Sequence, residues 1–338
     1  ILLEKVREGV EVRILCDGMG GRFMPKKRWD QMRRAGIKVG VFFPPFLGWL
    51  NLRVNYRNHR KIVVVDGTTG FVGGFNIGRE YISRDPRFGY WRDTHLEIKG
   101  EAAISLQIRF ALDWNYVTGE NLFKEIRYFG EEAEYARRRL NGQIHAVWPD
   151  PDHVSEMVCM QIITSGPDTR EPHIRNNYLE LFHKAKHHIY IQTPYFIPDD
   201  AIFSSLKIAA LSGVDVRLMI PCKPDHPFVY WATFSYAGEL IQAGAKCYIY
   251  EHGFLHAKGI TVDGMVSSYG TANMDIRSFE LNFEVNAVIY DEETTGKLEQ
   301  AFLDDLPYCR EVTREDYQKR SLLIRVKEQF CRLLSPLL

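Results

Sequence analysis

The sequence predicts an α/β protein built from two similar halves, and three observations support this prediction. Segments with helical and strand patterns alternate along the 338 residues, which is typical of sheets covered by helices on both faces. The order of these segments in the first half recurs in the second. One polar motif also recurs at the same place in each half. We therefore expect two pseudo-repeated α/β/α sandwich halves that share one site.

The repeat is visible first in pairs of short segments. Gly9–Leu15 matches Gly213–Met219, and Ala35–Val39 matches Ala243–Cys247. Each half is predicted to run helix, strand, helix, strand, and then a strand that carries the polar motif. In the second half this last strand is the apolar, β-branched stretch Phe254–Asp263.

The second half begins with elements that the first half lacks. A strand at Met157–Thr164, a helix around Arg175–Lys186, a strand at His188–Thr193 and a helix at Asp199–Ser212 precede Gly213. Ahead of Gly9 there is only the end of a helix, Leu2–Glu8. If the halves are true repeats, about one strand-helix-strand unit is absent at the N-terminus. We therefore expect the chain to be a fragment of a longer protein.

The halves are separated by the segment from Tyr116 to Val147. Its charged run, Glu131–Leu140, is typical of a solvated surface helix or a mobile linker. We place the boundary near residue 145, so that the first half covers residues 1–145 and the second covers residues 146–338.

The repeated polar motif carries the functional prediction. It has a His, a Lys two residues later, an Asp five residues after the Lys, and an Asn 17 residues after the His. Alternate residues of a strand share a face, so each His and Lys should project together while the Asp points elsewhere. A single copy would usually be structural, but two copies with identical spacing indicate one catalytic site. The copies are His59, Lys61, Asp66, Asn76 and His256, Lys258, Asp263, Asn273.

This pair of motifs resembles those of the phospholipase D superfamily, and several surrounding sequence segments are similar to segments of bacterial cardiolipin synthases. The similar segments are Asn55–Lys61, Tyr90–His95, Thr193–Pro198 and the terminal Leu333–Leu338. The resemblance extends from the first residues to the last. It implies a phospholipase D-like fold and a place at the bacterial cell membrane. It also implies membrane segments ahead of the first half, none of which is present here.

Phosphodiester chemistry explains why these residue types occur together. The reaction needs a nucleophile, a proton for the leaving oxygen, and positive or donor groups around the phosphoryl oxygens. One His can attack and form a phosphohistidine, while the other protonates the leaving alcohol and then deprotonates the acceptor. The two Lys supply charge and the two Asn supply NH donors, so the set needs no metal and no other cofactor. The resemblance implies that His59 is the nucleophile and His256 the acid and base, although the spacing does not distinguish them.

Carboxylates that orient the two histidines are also expected. Glu284 lies in the strand Asn282–Ile289, and its repeat counterpart is Asp93, with Glu97 as a competing choice. The alternative is that these are ordinary strand-end carboxylates. The resemblance gives the motif residues Asp66 and Asp263 a structural role away from the phosphate.

Two further residues are candidates for substrate binding. Arg57 precedes His59 and would line the cleft, unless it belongs to a solvated strand end. Tyr195 follows a strand in Thr193–Phe196 and would hold a lipid glycerol backbone, whereas core packing is at least as good an interpretation for Phe196.

Composition limits the alternatives. Lys and Arg number 43, equal to Asp and Glu, so no global field attracts nucleic acid and a nuclease is disfavoured. The six cysteines are scattered without a CxxC pair, which favours reduced core thiols over disulfides or zinc. No stretch approaches the roughly 20 apolar residues of a membrane-spanning helix.

Two apolar stretches bear on membranes. Val41–Leu50 is aromatic and broken by two prolines. Its start, Val39–Phe43, predicts a core strand, and the remainder a loop that could enter a membrane interface. The second stretch is an amphipathic helix at Ser321–Leu334. We expect its apolar face to pack on its own domain, and lying on a membrane is the alternative.

The sequence therefore predicts a phosphatidyltransferase that makes cardiolipin from two phosphatidylglycerols and releases glycerol. A phospholipase D-type hydrolase that uses the same residues is the main alternative. A nuclease of the same superfamily and a catalytically inactive lipid-binding module are less favoured alternatives. The expected partners are phosphatidylglycerol and a membrane surface, without nucleic acid, and the oligomeric state stays open.

Overall fold

The computed structural model describes residues 1–44, 55–129, 157–223 and 227–335. The first half contains three helices and seven strands within these ranges. The helices are α1 (Leu2–Arg7), α2 (Lys26–Arg34) and α3 (Glu101–Thr118). The strands are β1 (Arg13–Asp17), β2 (Lys38–Phe42), β3 (Arg57–Asn58), β4 (Ile62–Val65), β5 (Thr69–Gly73), β6 (Tyr90–Arg92) and β7 (His95–Lys99).

The second half is larger. Its described strands are β8 (Met160–Ser165), β9 (His188–Gln192), β10 (Phe196–Ile197), β11 (Asp215–Pro221), β12 (Lys246–Tyr250), β13 (Gly253–Leu255), β14 (Gly259–Val262), β15 (Val266–Gly270), β16 (Met274–Asp275), β17 (Asn282–Ile289) and β18 (Cys309–Val312). Its described helices are α4 (His173–Lys184), α5 (Asp200–Leu211), α6 (Pro227–Gln242), α7 (Ile276–Glu280), α8 (Glu292–Asp305), α9 (Arg314–Gln318) and α10 (Leu322–Leu333). The predicted alternation of helices and strands is confirmed.

The main sheet belongs to the second half but takes one strand from the first. Its order is β18-β12-β11-β9-β14-β15-β17, and β8 pairs with β17 along Glu284–Ile289. The strand β3 pairs with the beginning of β17, at Asn282 and Phe283. Helices α4, α5 and α6 cover this sheet with a large apolar core that includes Ile191, Leu206 and Ile220.

The first half has two smaller sheets, the parallel pair β1-β2 and the antiparallel β4-β5-β7. In the second half, β9 lies between β11 and β14 and pairs with both. Among the described residues, no strand lies between the corresponding β1 and β4. Val63 and Val65 on β4 are about half exposed. The halves differ most at this position.

A shared core joins the halves. Val72, Ile98 and Leu106 of the first half pack with Val285 and Ala287 of β17. This cluster lies behind the beginning of β17, where the polar motifs meet. It fixes the distance between the halves because well-packed apolar cores resist small displacements.

The predicted strand Phe254–Asp263 is wrong as a single element, since it is two strands with a break at His256–Lys258. β13 pairs with β6 of the first half, whereas β14 pairs with β9 and β15. The chain leaves one sheet and enters another between them, and the motif His and Lys occupy that crossing.

Several expectations fall partly or wholly outside the described residues. The charged run Glu131–Leu140, the boundary near residue 145 and the aromatic loop of residues 45–50 belong to this group. The core strand predicted at Val39–Phe43 is present as β2, with Phe42 buried. All six cysteines are free, but Cys159 is exposed, so the expectation of core thiols holds only in part.

The prediction that the last helix packs its apolar face on its own domain is wrong. Helix α10 contacts α6 through a face that contains the buried Glu328 and Cys331. The Arg320 guanidinium pairs with Glu328 Oε2 at 2.9–3.0 Å, while Glu328 Oε1 has no hydrogen-bond partner. The apolar residues point outward and are 57–81% exposed; they are Leu322, Leu323, Val326, Phe330 and Leu333. No helix among the described residues is long and apolar enough to cross a bilayer.

A buried ion pair supplies a test of how the halves are joined. The Arg60 guanidinium donates to both oxygens of Asp113 at 2.8–3.0 Å and to the carbonyl oxygens of Glu284 and Ser165 in the second half. Replacing Arg60 with Ala leaves the Asp113 carboxylate buried with only Arg109 as partner. We expect the free energy of unfolding to fall by about 3 kcal/mol, measured by urea denaturation.

The matched control for this variant is Arg87→Ala. Arg87 also pairs with a carboxylate, Asp85, but at the surface, where an ion pair contributes little. An equal urea midpoint for the two variants would show that Arg60 does not hold the halves together.

Candidate active site

His59 is placed by the strand that crosses from the first half to the second. β3 pairs with β17, and the His59 amide donates to the Phe283 carbonyl at 3.0 Å. This contact sets the imidazole beside Glu284, the next residue of β17. The His59 Nδ1 lies 2.8 and 3.0 Å from the two Glu284 carboxylate oxygens. An ionised carboxylate can only accept, so Nδ1 carries the proton and Nε2 is left for chemistry.

His256 is placed by the reciprocal crossing. β13 pairs in parallel with β6, and the His256 amide donates to the Arg92 carbonyl at 2.7 Å. The His256 Nδ1 then lies 2.8 Å from Asp93 Oδ2. Each histidine is therefore held by a carboxylate of the opposite half.

Each motif lysine lies beside its own histidine. Lys258 Nζ is 3.0 Å from His256 Nε2, and it donates to the His256 carbonyl at 2.7 Å. Lys61 makes the corresponding bond to the His59 carbonyl at 2.7 Å. Burial is the main cause of the lowered pKa of each imidazole, and the lysine of the opposite half adds to it, Lys258 at His59 and Lys61 at His256. The two His–Lys pairs are therefore close enough to act on each other's charge, and we refer to them together as the pocket.

Burial and like charge determine how this pocket titrates. Burial, followed by repulsion from Lys258, lowers the pKa of His256 to about 3 despite its bond to Asp93. Burial is also the main reason that the pKa of His59 lies below its ordinary value. Burial and the neighbouring Lys258 lower the pKa of Lys61 to about 7, although Glu284 opposes them. Both imidazoles are therefore neutral at pH 7.

The two carboxylates remain ionised because their partners outweigh burial. Burial alone would raise the pKa of Asp93, but His256 and Lys258 bring it below its usual value. The same holds for Glu284 with His59 and Lys61. Asp93 also accepts from Trp91 Nε1 at 3.2 Å and from the Thr94 amide at 2.8 Å. Glu97, the competing choice, is exposed and pairs with Lys99 on the surface.

The two motif asparagines are placed differently. Asn273 is buried and interacts with the buried Asp275, while its Oδ1 has no hydrogen-bond partner. Asn76 is exposed, and its Oδ1 accepts from the adjacent Ile77 amide at 2.8 Å. No hydrogen bond joins Asn76 to either histidine within the part of the chain that the structure describes. The site is therefore less symmetric than the motif spacing predicts.

The motif aspartates lie away from the pocket. Asp263 has a left-handed backbone and accepts from the amides of residues 186, 187 and 188 at 2.8 Å each. Asp66 has the same left-handed backbone and is exposed. Both placements agree with the expectation that neither carboxylate faces the phosphate.

The two residues predicted to bind substrate have protein partners as well. The Arg57 guanidinium donates to Asp17 Oδ1 through Nε at 2.8 Å and Nη2 at 2.6 Å, and it is about one-third exposed. Tyr195 is partly buried, and its carbonyl accepts from Thr193 Oγ1 at 2.8 Å. Phe196 is fully buried in the core.

Sequence reasoning did not single out the residues that hold the carboxylates and strands. Arg92 donates to both oxygens of Asp305 at 2.8–2.9 Å and so fixes β6 against α8. Thr271 Oγ1 donates to Glu284 at 2.5 Å. The ring of Tyr81 meets that of His256 edge-on, with centroids 5.7 Å apart. Arg92 belongs to Tyr90–His95, one of the segments that resemble bacterial cardiolipin synthases. That resemblance was the sequence feature from which its importance could have been inferred.

The residue directly after the motif's Gly also differs between the halves in a way that fits the two carboxylates. Gly74 takes the place that Thr271 has in the second half, two residues before the motif Asn. A Cβ at Gly74 would overlap the Asp93 carboxylate. One half therefore leaves space for Asp93, whereas the other provides a hydroxyl that binds Glu284. The described residues include no group of three or more His, Cys, Asp or Glu placed to hold a metal ion.

Comparison with known proteins places this pocket in a family. The family model described as "Cardiolipin synthase, PLD-like domain" matches residues 1–91 and 178–306, which contain both motifs. The chain belongs to this phospholipase D-like family. It is 49% identical over 342 residues to the major cardiolipin synthase ClsA of Bacillus subtilis, covering all of this chain and 66% of that protein. It is 51% identical to cardiolipin synthase 2 of Staphylococcus epidermidis, covering all of this chain and 65% of that protein.

A solved structure supports the phospholipase D-like fold. Phosphatidylserine synthase from Haemophilus influenzae matches with a TM-score of 0.64 over 99% of this chain and 90% of that one. The sequence identity is 14%, so this likeness concerns the fold alone. The chain spans slightly less than two thirds of the length of the curated relatives that it matches.

The space left by Gly74 can be tested directly. Gly74→Ala must displace the Asp93 carboxylate, and we expect the free energy of unfolding to fall by about 1–3 kcal/mol, as for other overpacked sites. The freed His256 ring should also lose its fixed Nδ1–H form, which ¹⁵N NMR of the imidazole measures.

Gly296→Ala is the matched control for Gly74→Ala. Gly296 lies in α8 with open space around it, so alanine there should stabilise the helix by about 0.5–1 kcal/mol. If Gly74→Ala also stabilised the protein and left the His256 tautomer unchanged, the proposed fit between Gly74 and Asp93 would be refuted.

Proposed function

We propose that this chain carries the catalytic centre of a phosphatidyltransferase that makes cardiolipin from two phosphatidylglycerol molecules. The observation that carries the proposal is the crossed arrangement of His59 on Glu284 and His256 on Asp93, with Lys61 and Lys258 beside their own histidines. This set provides two oriented imidazoles and two cations for one phosphodiester. The names of the curated relatives support the choice of substrate and product.

The first step transfers a phosphatidyl group to the protein. The neutral His59 uses Nε2 to attack the phosphorus of phosphatidylglycerol, so that a P–N bond forms and the P–O bond to glycerol breaks. The anionic phosphodiester lies between Lys61 and Lys258 and offsets the positive charge that depresses the pKa of His256. His256 can then be protonated and give that proton to the leaving glycerol oxygen.

The second step regenerates the protein. The now neutral His256 removes the proton from a hydroxyl of a second phosphatidylglycerol. The resulting oxygen attacks phosphorus, the P–N bond to His59 breaks, and cardiolipin is the product. Glu284 and Asp93 hold the rings in the tautomers that both steps require. His59 is assigned as the nucleophile because the resemblance implies it.

A phospholipase D-type hydrolase remains the second candidate because the same phosphohistidine would react with water. The observation that favours it is that about one-third of the His59 side chain is exposed. Hydrolysis would release phosphatidic acid instead of cardiolipin. A dead lipid-binding module is disfavoured because both motifs are complete and each motif histidine is oriented by a carboxylate of the opposite half.

The substrate assignment predicts definite products. The chain is incubated with vesicles that contain phosphatidylglycerol labelled in the phosphatidyl phosphate, and lipids are separated by chromatography. We expect cardiolipin and free glycerol from the chain. A chimera with the remaining length of the Bacillus subtilis relative is assayed in parallel. Phosphatidic acid without cardiolipin from both proteins would replace the transferase with the hydrolase.

The same assay separates the roles of the two histidines. His59→Ala should lose turnover and the covalent label together, because no P–N bond can form. His256→Ala should lose most turnover, on the order of 10²–10⁴-fold for a missing acid and base. Normal turnover by either variant would refute the two-histidine mechanism.

The lowered pKa of Lys61 predicts an alkaline limit to activity. The site needs the ammonium form, and burial lowers the pKa of this group to about 7. Rising pH therefore removes the charge from the free protein, and kcat/KM should fall about tenfold per pH unit above 7. Kinetics between pH 6 and 9, with circular dichroism as a control for unfolding, measure this limit. A flat profile to pH 9 would show that Lys61 does not supply charge to the phosphate.

A further inference from the structure

The outer surface of α10 is apolar although the helix is firmly attached to the protein. With 3.6 residues per turn, the five exposed apolar residues described above form one stripe about 100° wide. They are Leu322, Leu323, Val326, Phe330 and Leu333, which we name the α10 stripe. The opposite side of the helix holds Glu328 and Cys331 and faces α6. The stripe therefore points away from the protein.

Attachment of α10 uses polar as well as apolar contacts. Tyr236 Oη and Ser335 Oγ lie 3.5 Å apart, Arg332 pairs with Glu239, and the Arg332 guanidinium lies over the Tyr236 ring. Lys327 lies 5.5 Å from the centre of the Trp231 ring. These contacts fix which side of the helix faces outward. The exposure of the stripe is therefore a defined feature of the folded chain.

The charges beside the stripe are positive. Arg325 follows one edge of the stripe and Lys327 the other, and both side chains belong to exposed residues. The acidic residue of α10, Glu328, is 1% exposed and paired with Arg320. Long basic side chains at the edges of an apolar helix face can reach lipid phosphates while the apolar residues enter the acyl region.

A cavity of about 620 Å³ lies beside the Arg325 edge, between α5, α6 and α10. Three cations and three amides line it: Lys207, Arg320, Arg325, Gln242, Gln318 and Gln329. The lining carboxylate, Glu239, is paired with Arg332. Arg320 is likewise paired with Glu328, so the charge that suits the cavity to an anion comes from Lys207 and Arg325. The cavity lies next to the surface that would enter the lipid.

We propose that α10 lies in the interface of an anionic lipid bilayer, with the α10 stripe in the acyl region and the adjacent cavity facing the phosphodiester headgroups. The choice of a lipid as occupant rests on the proposed function, whose substrate is itself an anionic phospholipid. The docking surface is separate from the His59 and His256 pocket and needs none of its residues. It would hold the chain at the surface from which its substrate comes.

The first test is flotation of the full chain with vesicles of phosphatidylcholine, with and without phosphatidylglycerol. The double variant L322S/F330S removes one apolar side chain from the first turn of the stripe and one from its last two turns, and it should weaken vesicle binding by at least about tenfold. Because both side chains are exposed, the fold should be retained, which circular dichroism verifies. The matched control I208S/M265S changes two exposed apolar residues elsewhere and should bind as the parent chain does.

The second test concerns charge. R325E/K327E should weaken binding to vesicles with phosphatidylglycerol by about fivefold per cation, and the loss should shrink at high salt. Binding to vesicles of phosphatidylcholine alone should change little. K297E, at an exposed lysine on α8, serves as the charge control and should bind as the parent chain does.

The outcomes separate this inference from the proposed function. Flotation is repeated with His59→Ala, which should bind vesicles normally without turnover. If vesicles bind through α10 but no lipid product forms, the proposed function fails and the inference stands. Unchanged flotation of L322S/F330S would overturn the inference. A dimer seen by light scattering, lost in that variant while flotation is unchanged, would assign the stripe to a second copy of the chain instead.

Discussion

The site depends on two hydrogen bonds that cross between the halves. Glu284 of the second half holds His59 of the first, and Asp93 of the first half holds His256 of the second. An imidazole that loses its carboxylate can rotate or change tautomer, and its reactive nitrogen then no longer points at phosphorus. The strand pairs β3–β17 and β13–β6 exist at the points where these bonds are made. The strand pairing between the halves therefore determines the orientation of both histidines.

Placing two lysines in the same buried pocket has an electrostatic cost that the substrate can relieve. The lysines repel each other and depress the pKa of both imidazoles. A phosphodiester anion between them removes part of that repulsion. The pocket is thus unfavourable for cations and complementary to an anion, which is the property expected of a site that stabilises charge on a phosphoryl group.

Equal spacing in two copies was sufficient to predict the repeated halves and to single out the motif histidines and lysines. It left Asp93 and Glu97 as competing choices for the second carboxylate, and the structure places Asp93 against His256. The sequence could not predict the split at His256–Lys258, since the apolar pattern of Phe254–Asp263 does not show that the chain changes sheets there. The exposure of Asn76 could not be predicted either. Equal spacing implies that Asn76 and Asn273 occupy equivalent positions, but the loops that carry them need not have the same conformation. The apolar face of α10 was predicted correctly, but it was expected to pack on its own domain, whereas it is exposed. A periodic pattern identifies an apolar face without naming what covers it, and here the buried side carries Glu328.

The crossing of β3 onto β17 has a consequence for how heat or denaturant would inactivate the protein. Separation of the halves would withdraw Glu284 from His59 and Asp93 from His256 in the same event. It would also open the core that Val72 and Leu106 share with Val285. Both histidines would therefore lose their orientation together, and no partly separated form would keep one of them correctly held.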